Sequence, residues 1–498
     1  MNVNPITRLD YPDPDVIRVE DTYYMVSTTM HFMPGCEILQ SFDLVHWEHV
    51  TYVYETLDHT DAQQLKSGQN IYGQGMWAAS LRYHEGRFCI CFVANDTRKT
   101  YLYTSEKIDG PWKKQLIEGF YHDGSLLFDE DGRNYIVYGN DEIWITELNE
   151  DLTAPKKDGL HRLLVSDHKN PKLGYEGSHI QKINGYYYIF LIHSLRDRWM
   201  RTEACFYSDS LEGEFTGGDV LCDDRGYCGQ GVAQGGIVDT PDGKWYAMLF
   251  QDFGAVGRIP ILLPVTWKDH FPFFGQNGHV PEEIEVHSTR PGYIYQPLVG
   301  SDDFCNGLLP RWQFNHDPDP RYYHLDALQG TYTITTREVC TELTQAVNTL
   351  TQRMSYPSCA AEVTVDASAL KEGDVAGLCA LQSCYAAVGI TKHHGKYEVL
   401  MLDKKEDGIL DMTDGTVVES HQMDFRLEAD FCNMKDEARC YYRVNKGDWL
   451  PIGTVHKLYF KLDHFTGCRF GLFCYAAEET GGSACFRDFK YYDVDEIS

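Results

Sequence analysis

The sequence predicts an all-β protein: a five-bladed β-propeller over residues 1–298, followed by a β-sandwich over residues 299–498. Three observations carry this reading. A short hairpin recurs five times in the first half of the chain. Beyond the midpoint, apolar and polar residues alternate in runs separated by turn residues. An aromatic content of 13%, with 33 Tyr, suits strands better than helical bundles.

The recurring unit is a polar turn followed by aromatic and aliphatic strand residues: VEDTYYMVS, HEGRFCICF, DEDGRNYIVYG, INGYYYIFL and PDGKWYAML. Aligned on Tyr24, Phe88, Tyr135, Tyr187 and Tyr246, the copies stand 47–64 residues apart, room for four short strands each. Gly86, Gly132, Gly185 and Gly243 mark the bends, where a positive φ favours Gly. A sheet of that size cannot bury both faces alone, so five of them predict a propeller. A β-sandwich of irregular strands fits the even spacing less well.

Eleven or twelve residues before each aligned aromatic lie Asp13, Trp77, Asp123, Glu176 and Gln234. These are equivalent positions at the start of each innermost strand, so all five converge on one mouth of the central channel. Three are carboxylic acids. Acids crowded on an axis repel one another, which raises the pKa of at least one and disfavours the cluster unless it has a task or a cation. Paired carboxylates across a sugar-sized funnel are the equipment of glycoside hydrolysis. In the opening YPDPDV, Pro12 and Pro14 restrict the backbone on both sides of Asp13, whereas Asp15 matches no acid of the alignment and reads as structural.

A formal net charge of −30 repels nucleic acid and anionic membranes and leaves neutral glycans as easier partners. No apolar run approaches the ~18 residues of a membrane span. MNVNPITRLDYP lacks the pattern of a secretory leader, so a cytoplasmic location is expected. The sixteen Cys sit in settings such as FCICFV and GLFCYA, without a CxxC pair, and read as reduced, mostly buried thiols. His393 and His394, beside a turn Gly, read as solvated rather than as a metal pair.

VHSTRPGYIYQPLVGS reads as the connector between the two units. After it, CAAEVTVDA, VAGLCALQS, YAAVGITKHHGKYEVLML and CRFGLFCYAAEETGGSACFRDFKYYD are alternating strand runs of a sandwich.

Four stretches in order, NPITRLDYPDPDVIRVEDTYYMVSTT, MWAASLRYHEGRF, HDGSLLFDEDGRNY and EGSHIQKINGYYYIF, resemble glycoside hydrolase family 43, the five-bladed propeller xylosidases and arabinofuranosidases. The resemblance covers essentially the whole chain, since the second unit is similar to the lectin-like (concanavalin-like) sandwich that packs on the propeller in some members. It implies an inverting mechanism with Asp13 as general base, Glu176 as general acid, and Asp123 tuning and orienting the acid. Such a pair stands roughly 6.5–9.5 Å apart, leaving room for the nucleophilic water. Arg258 resembles a family Arg that lies near the tuning Asp and contacts sugar. Trp77 offers an aromatic face for sugar C–H bonds or a core contact between blades. His31, Phe32 and Met33, in MHFMPG, are expected in a loop at the pocket rim.

Departures from the family pattern also inform the reading. Gln234 stands where many members have a His that holds a water or a calcium ion near the propeller axis; its amide oxygen suits either, so no cofactor is required and a structural Ca2+ is one option. Gly124 replaces a Pro, which is expected to loosen the backbone after Asp123. MHFMPG replaces the Trp-containing loop of the xylosidases, which favours arabinose over xylose. The expected function is therefore an exo-acting α-L-arabinofuranosidase on pentose-containing oligosaccharides, imported ones if the location is cytoplasmic. The alternatives are a β-D-xylosidase, or a bifunctional enzyme, and a non-catalytic glycan-binding propeller with a lectin-like sandwich. Oligomeric state has no signal in the sequence.

Overall fold

The computed structural model describes residues 2–413 and 415–493. Among them the helical elements are four three-residue 3-10 turns; all other regular structure is β. Five four-stranded antiparallel sheets form a ring of blades. Their innermost strands are Asp15–Val19, Met76–His84, Ser125–Phe128, Glu176–Ile183 and Ala233–Asp239. The aligned aromatics all fall in the second strand of a blade, and the hairpin glycines have φ between +78° and +84°. In blade 1 Asp21 stands in that place, and Glu20 before it is left-handed with φ 56°, as Glu85 and Asn184 are before Gly86 and Gly185. No heavy atom lies near a Cβ built on those four glycines, so backbone conformation and not crowding selects them.

Each blade buries its faces against its neighbours. Val26, Ile38, Leu81 and Phe92 fill the space between blades 1 and 2, and Val16, Met25, Met248 and Leu262 that between blades 5 and 1. The ring is closed by the N-terminal segment: Asn2–Val3 pairs with Glu283–Ile284. The Asn4 amide then completes a two-way bond to the Leu262 backbone, donating to its carbonyl at 2.8 Å and accepting from its N–H at 3.0 Å. One Asn side chain thereby imitates a strand residue.

Residues 285–300 run without regular structure along blade 1, where Thr289 and Arg290 bind Asp21, and lead into two packed sheets. One sheet has seven strands, from Tyr323–Asp326 to Leu450–Lys457. The other has nine, and its edge strand is Phe32–Met33, lent by the propeller and paired with Gln313–Asn315. This corrects the expectation for MHFMPG. His31, Phe32 and Met33 are 0–1% exposed and lie in the domain interface, not at a pocket rim. Their backbone completes a sheet, and the His31 ring is enclosed by Phe32, Tyr72, His316 and His464. The Cys are free thiols, most of them buried and half of them buried strand residues, and His393 and His394 are exposed.

A single apolar cluster runs from blades 4 and 5 into the sandwich, through Phe253, Val256, Phe431 and Phe470. Within the interface Arg353 pairs with Glu37 at 2.9 Å, both side chains being at most 4% exposed. It also donates to the Asp10 carbonyl at 2.9 Å and stacks over Tyr11 at 4.1 Å. Removing one partner of a buried pair strands the other charge away from water. Arg353→Met should therefore lower stability by about 3–5 kcal/mol, read as a lower urea midpoint by fluorescence; an unchanged midpoint would show that the pair is not structural.

Candidate active site

The five predicted mouth positions meet around one cavity of about 570 Å³, within the range of small-molecule sites. Asp13, Trp77, Asp123, Glu176 and Gln234 all line it, as does Arg258. The local backbone explains how strand starts come to point into a cavity. Asp13, Asp123 and Gln234 have φ of 53°, 48° and 58°, and register shifts interrupt the innermost strands at Trp77/Ser80, Glu176/His179 and Ala233/Gly236. A left-handed residue just before a strand, or a bulge near its start, breaks the pleat and re-aims the side chain along the axis.

Each acid has its own support. Asp13 accepts a hydrogen bond from Thr28 Oγ1 at 2.6 Å and one from Arg258 Nη1 at 3.1 Å. Asp123 accepts the N–H of Gly177 at 3.0 Å, which ties it to the residue after Glu176. Glu176 accepts from Asn140 Nδ2 at 2.8 Å. His122 Nε2 stands 3.6 Å from both Asp123 Oδ2 and Glu176 Oε2, a charged bridge between two acids. Gly124 has a packing reason: a Cβ there would lie 2.9 Å from Ile136 Cδ1 and 3.0 Å from the Tyr121 carbonyl. The expected loosening is therefore absent, because a tight contact holds that turn.

The electrostatics follow from burial and charge. Burial pushes the Asp123 carboxyl up to about 6; His122 opposes this, and Glu176 and Asp13 add to it. The crowding expected from the sequence thus falls on Asp123. The Asp123 carboxylate lifts His122 to about 9 against its own burial, with Glu176 and Asp13 helping. Burial works against the charge of Arg258, but Asp13 and Asp252 outweigh it and hold its pKa above the ordinary value. The Arg258 guanidinium lies 4.4 Å from the Phe465 ring centre and 4.8 Å from that of Phe250, so it is clamped between acids and aromatic faces.

Several lining residues had escaped the sequence reading. His122 stands beside Asp123 in the HDGSLL stretch, and its position next to an acid was the available signal. Asp252 pairs with both Arg258 and Arg201, and Trp199, 46% exposed, stands beside Arg201 at the rim. Phe460, Lys461, Leu462 and Phe465 come from the sandwich, which therefore forms one wall. Phe465 packs on Trp77 with ring centres 5.5 Å apart, so Trp77 is both cavity lining and an interdomain contact.

For a cation, His122, Asp123 and Glu176 offer ligand atoms within 4.8 Å of one another. This set does not fit Ca2+, which takes six to eight oxygen ligands, and His122 carries positive charge up to about pH 9. Gln234 is outside the set, and its side chain packs 2.8 Å from where a Cβ on Gly177 would lie. Deeper on the axis, Asp15 is fully buried, with its oxygens bound by Arg82, His179 and the Leu81 N–H. It is structural, as the sequence suggested.

The family model described as "Glycosyl hydrolases family 43" matches residues 3–272, and that for "Beta xylosidase C-terminal Concanavalin A-like domain" matches residues 301–492. A beta-xylosidase of Formosa agariphila is 26% identical over 99% of this chain and 89% of its own. A non-reducing end alpha-L-arabinofuranosidase of Bacteroides ovatus is 24% identical over 82% and 79%. Among solved structures, a bifunctional GH43-CE protein of Bacteroides eggerthii has TM-score 0.92 at 42% identity over 99% of this chain; the chain spans 63% of that protein's length. An engineered GH43 glycoside hydrolase with endo-xylanase and exo-arabinofuranosidase activity has TM-score 0.86 at 27% identity over 99% of both chains.

His122 gives a pH signature. Its raised pKa means a contribution to stability that is complete below the ordinary His value of 6.5 and is lost as pH rises through about 9. Between pH 6.5 and 9 the wild type should lose stability relative to His122→Asn, by at most about 3 kcal/mol. Thermal unfolding of both proteins across that range measures it, and parallel curves would contradict the charge assigned to His122.

Proposed function

The chain belongs to glycosyl hydrolases family 43, and from that premise we propose that it is an exo-acting, inverting glycosidase that removes one terminal pentose from xylan- or arabinoxylan-derived oligosaccharides. The observation that supports this best is the shape of the site. The three acids stand at the inner end of a cavity whose axis is plugged beneath them by Asp15, Arg82 and His179, and whose side is walled by the sandwich loop. A blind pocket admits a chain end and not a chain interior.

The chemistry follows from the supports around each acid. Asp13, aligned by Thr28 and Arg258, accepts a proton from water as its oxygen attacks the anomeric carbon. Glu176 donates its proton to the departing glycosidic oxygen on the opposite side, so the bond breaks with inversion. Asp123 holds the backbone next to Glu176 through the Gly177 N–H and so orients the acid. Trp77 and Phe465 present apolar faces to sugar C–H groups, and the desolvated cavity strengthens each charge interaction.

α-L-Arabinofuranosyl ends are one reading, supported by the alpha-L-arabinofuranosidase relative that matches 82% of this chain, and β-D-xylosyl ends the second. The second is favoured by the beta-xylosidase relative, which matches nearly the whole chain. The MHFMPG stretch carries no weight in this choice, because it is buried between the domains.

Incubation with 4-nitrophenyl α-L-arabinofuranoside and β-D-xylopyranoside, followed by proton NMR of the released sugar, tests the reading. Release of a single pentose in inverted configuration is expected. Glu176→Gln should lower kcat by about 10²–10⁴-fold. No release from either substrate, together with retention on xylan affinity gels, would instead favour a glycan-binding protein.

A further inference from the structure

Directly below the cavity, on the propeller axis, one guanidinium meets four blades. Arg82 Nε donates to the Leu126 carbonyl at 2.9 Å. Its Nη1 donates to Asp15 Oδ2 at 2.7 Å and to the Leu81 carbonyl at 2.6 Å. Its Nη2 donates to Ser125 Oγ at 2.7 Å and to the Ile180 carbonyl at 3.2 Å. All five N–H groups of the side chain have acceptors, an unusual saturation for one Arg. The acceptors belong to the innermost strands of blades 1, 2, 3 and 4. Blade 5 comes close with backbone alone: a Cβ on Gly236 would lie 3.4 Å from His179 Nδ1 and 3.6 Å from Asp15 Oδ1.

The placement of these acceptors matters for the reaction. Asp15 follows Asp13 by two residues and Ser125 follows Asp123 by two, each opening the strand that its acid leads into, and Ile180 follows Glu176 by four on one strand. Two further bonds brace the group: the Ile180 N–H donates to Ser125 Oγ at 3.0 Å, and the Leu81 N–H donates to Asp15 Oδ2 at 2.7 Å. Burial alone would raise the Asp15 carboxyl, but Arg82 and His179 outweigh it and hold its pKa below the ordinary value. The charge that keeps Asp15 ionised is therefore the same one that gathers the strands. Separations between carboxylates decide whether a water fits between base and acid, and a small misplacement of reacting groups costs rate steeply.

We propose that Arg82 is the positioning residue for hydrolysis: by binding the strand that follows each of Asp13, Asp123 and Glu176, one guanidinium sets the spacing of the three carboxylates. The proposal rests on the exo-glycosidase reading given above. A planar fork with five donors is required, since an ammonium of the same charge has three donors and cannot span four strands.

Arg82→Lys keeps the charge and loses the fork. It should lower kcat about 10-fold or more, in keeping with loss of geometry, while KM changes by a factor of about 3 or less. Ser125→Ala removes one of the two bonds by which Arg82 holds the strand after Asp123 and leaves the Leu126 bond and the Asp15 pair in place, so it retains the fold should Arg82→Lys not do so. It should lower kcat with the same small effect on KM. Folded variants with wild-type kcat and only a lower Tm would overturn the proposal, because a purely structural Arg would behave in that way.

Carbon-13 titration of the Asp123 carboxyl separates this outcome from failure of the hydrolase reading. Asp123 faces His122, Glu176, Asp13 and the Gly177 N–H, and wider spacing with water entry relieves the burial and repulsion that raise it. In Arg82→Lys its midpoint should move from about 6 towards the ordinary carboxylate range. If the wild type releases no pentose, the hydrolase reading fails while this shift still judges the role of Arg82 in spacing the acids; an unmoved midpoint overturns that role.

Discussion

Asp10 is the constraint on which the site depends. Its carboxylate is fully enclosed between two domains and accepts two backbone N–H groups, from Arg258 in blade 5 and from Gly467 in the sandwich, each at 2.8 Å. One strand carries the guanidinium that aligns Asp13; the other segment follows the loop that carries Phe460 and Phe465 into the cavity. A Cβ on Gly257 or Gly467 would fall within 2.8 Å of Asp10 side-chain atoms, so both partners approach as closely as backbone can. Burial raises the Asp10 carboxyl, with the two N–H bonds and Arg353 and Arg469 working against that rise. Loss of this contact would separate the two walls of the pocket rather than one residue from it.

The same pattern of enclosed charge recurs along the axis. Asp13 is neutralised by Arg258, Asp15 by Arg82, and the pair Asp123 and Glu176 by His122. Arg258 is held between aromatic rings and Arg82 by a full set of hydrogen bonds. Left-handed backbone at Asp13 and Asp123 is costly for residues with a Cβ, by about 1–3 kcal/mol each, and it is held by the bonds that Arg258 and the Gly177 N–H donate to the two carboxylates. Strain and like charge are concentrated at the mouth where the proposed chemistry takes place.

Much of this was legible in one dimension. Repetition of a hairpin at blade-sized intervals revealed the propeller, and counting back one strand from each aligned aromatic located Asp13, Trp77, Asp123, Glu176 and Gln234, all of which line the cavity. Such positions are readable because strand period and turn chemistry are local. The MHFMPG stretch was misread for the complementary reason. Its correspondence to a Trp-containing loop of the xylosidases went with a place at the rim, whereas its backbone pairs with Gln313–Asn315, some 280 residues away, and that pairing leaves no local trace.

The sequence by itself determined the all-β class, the number of blades, the register that brings three acids to one mouth, and the family resemblance. The tertiary structure alone decided which partner each charge finds: His122 between two acids, Asp252 beside Arg258, and Phe465 of the sandwich against Trp77 of the propeller. Alternation and turns are properties of neighbouring residues. Desolvation and ion pairing depend on groups brought together from distant parts of the chain, so the pKa values of the site and the shape of its pocket exist only in the folded protein.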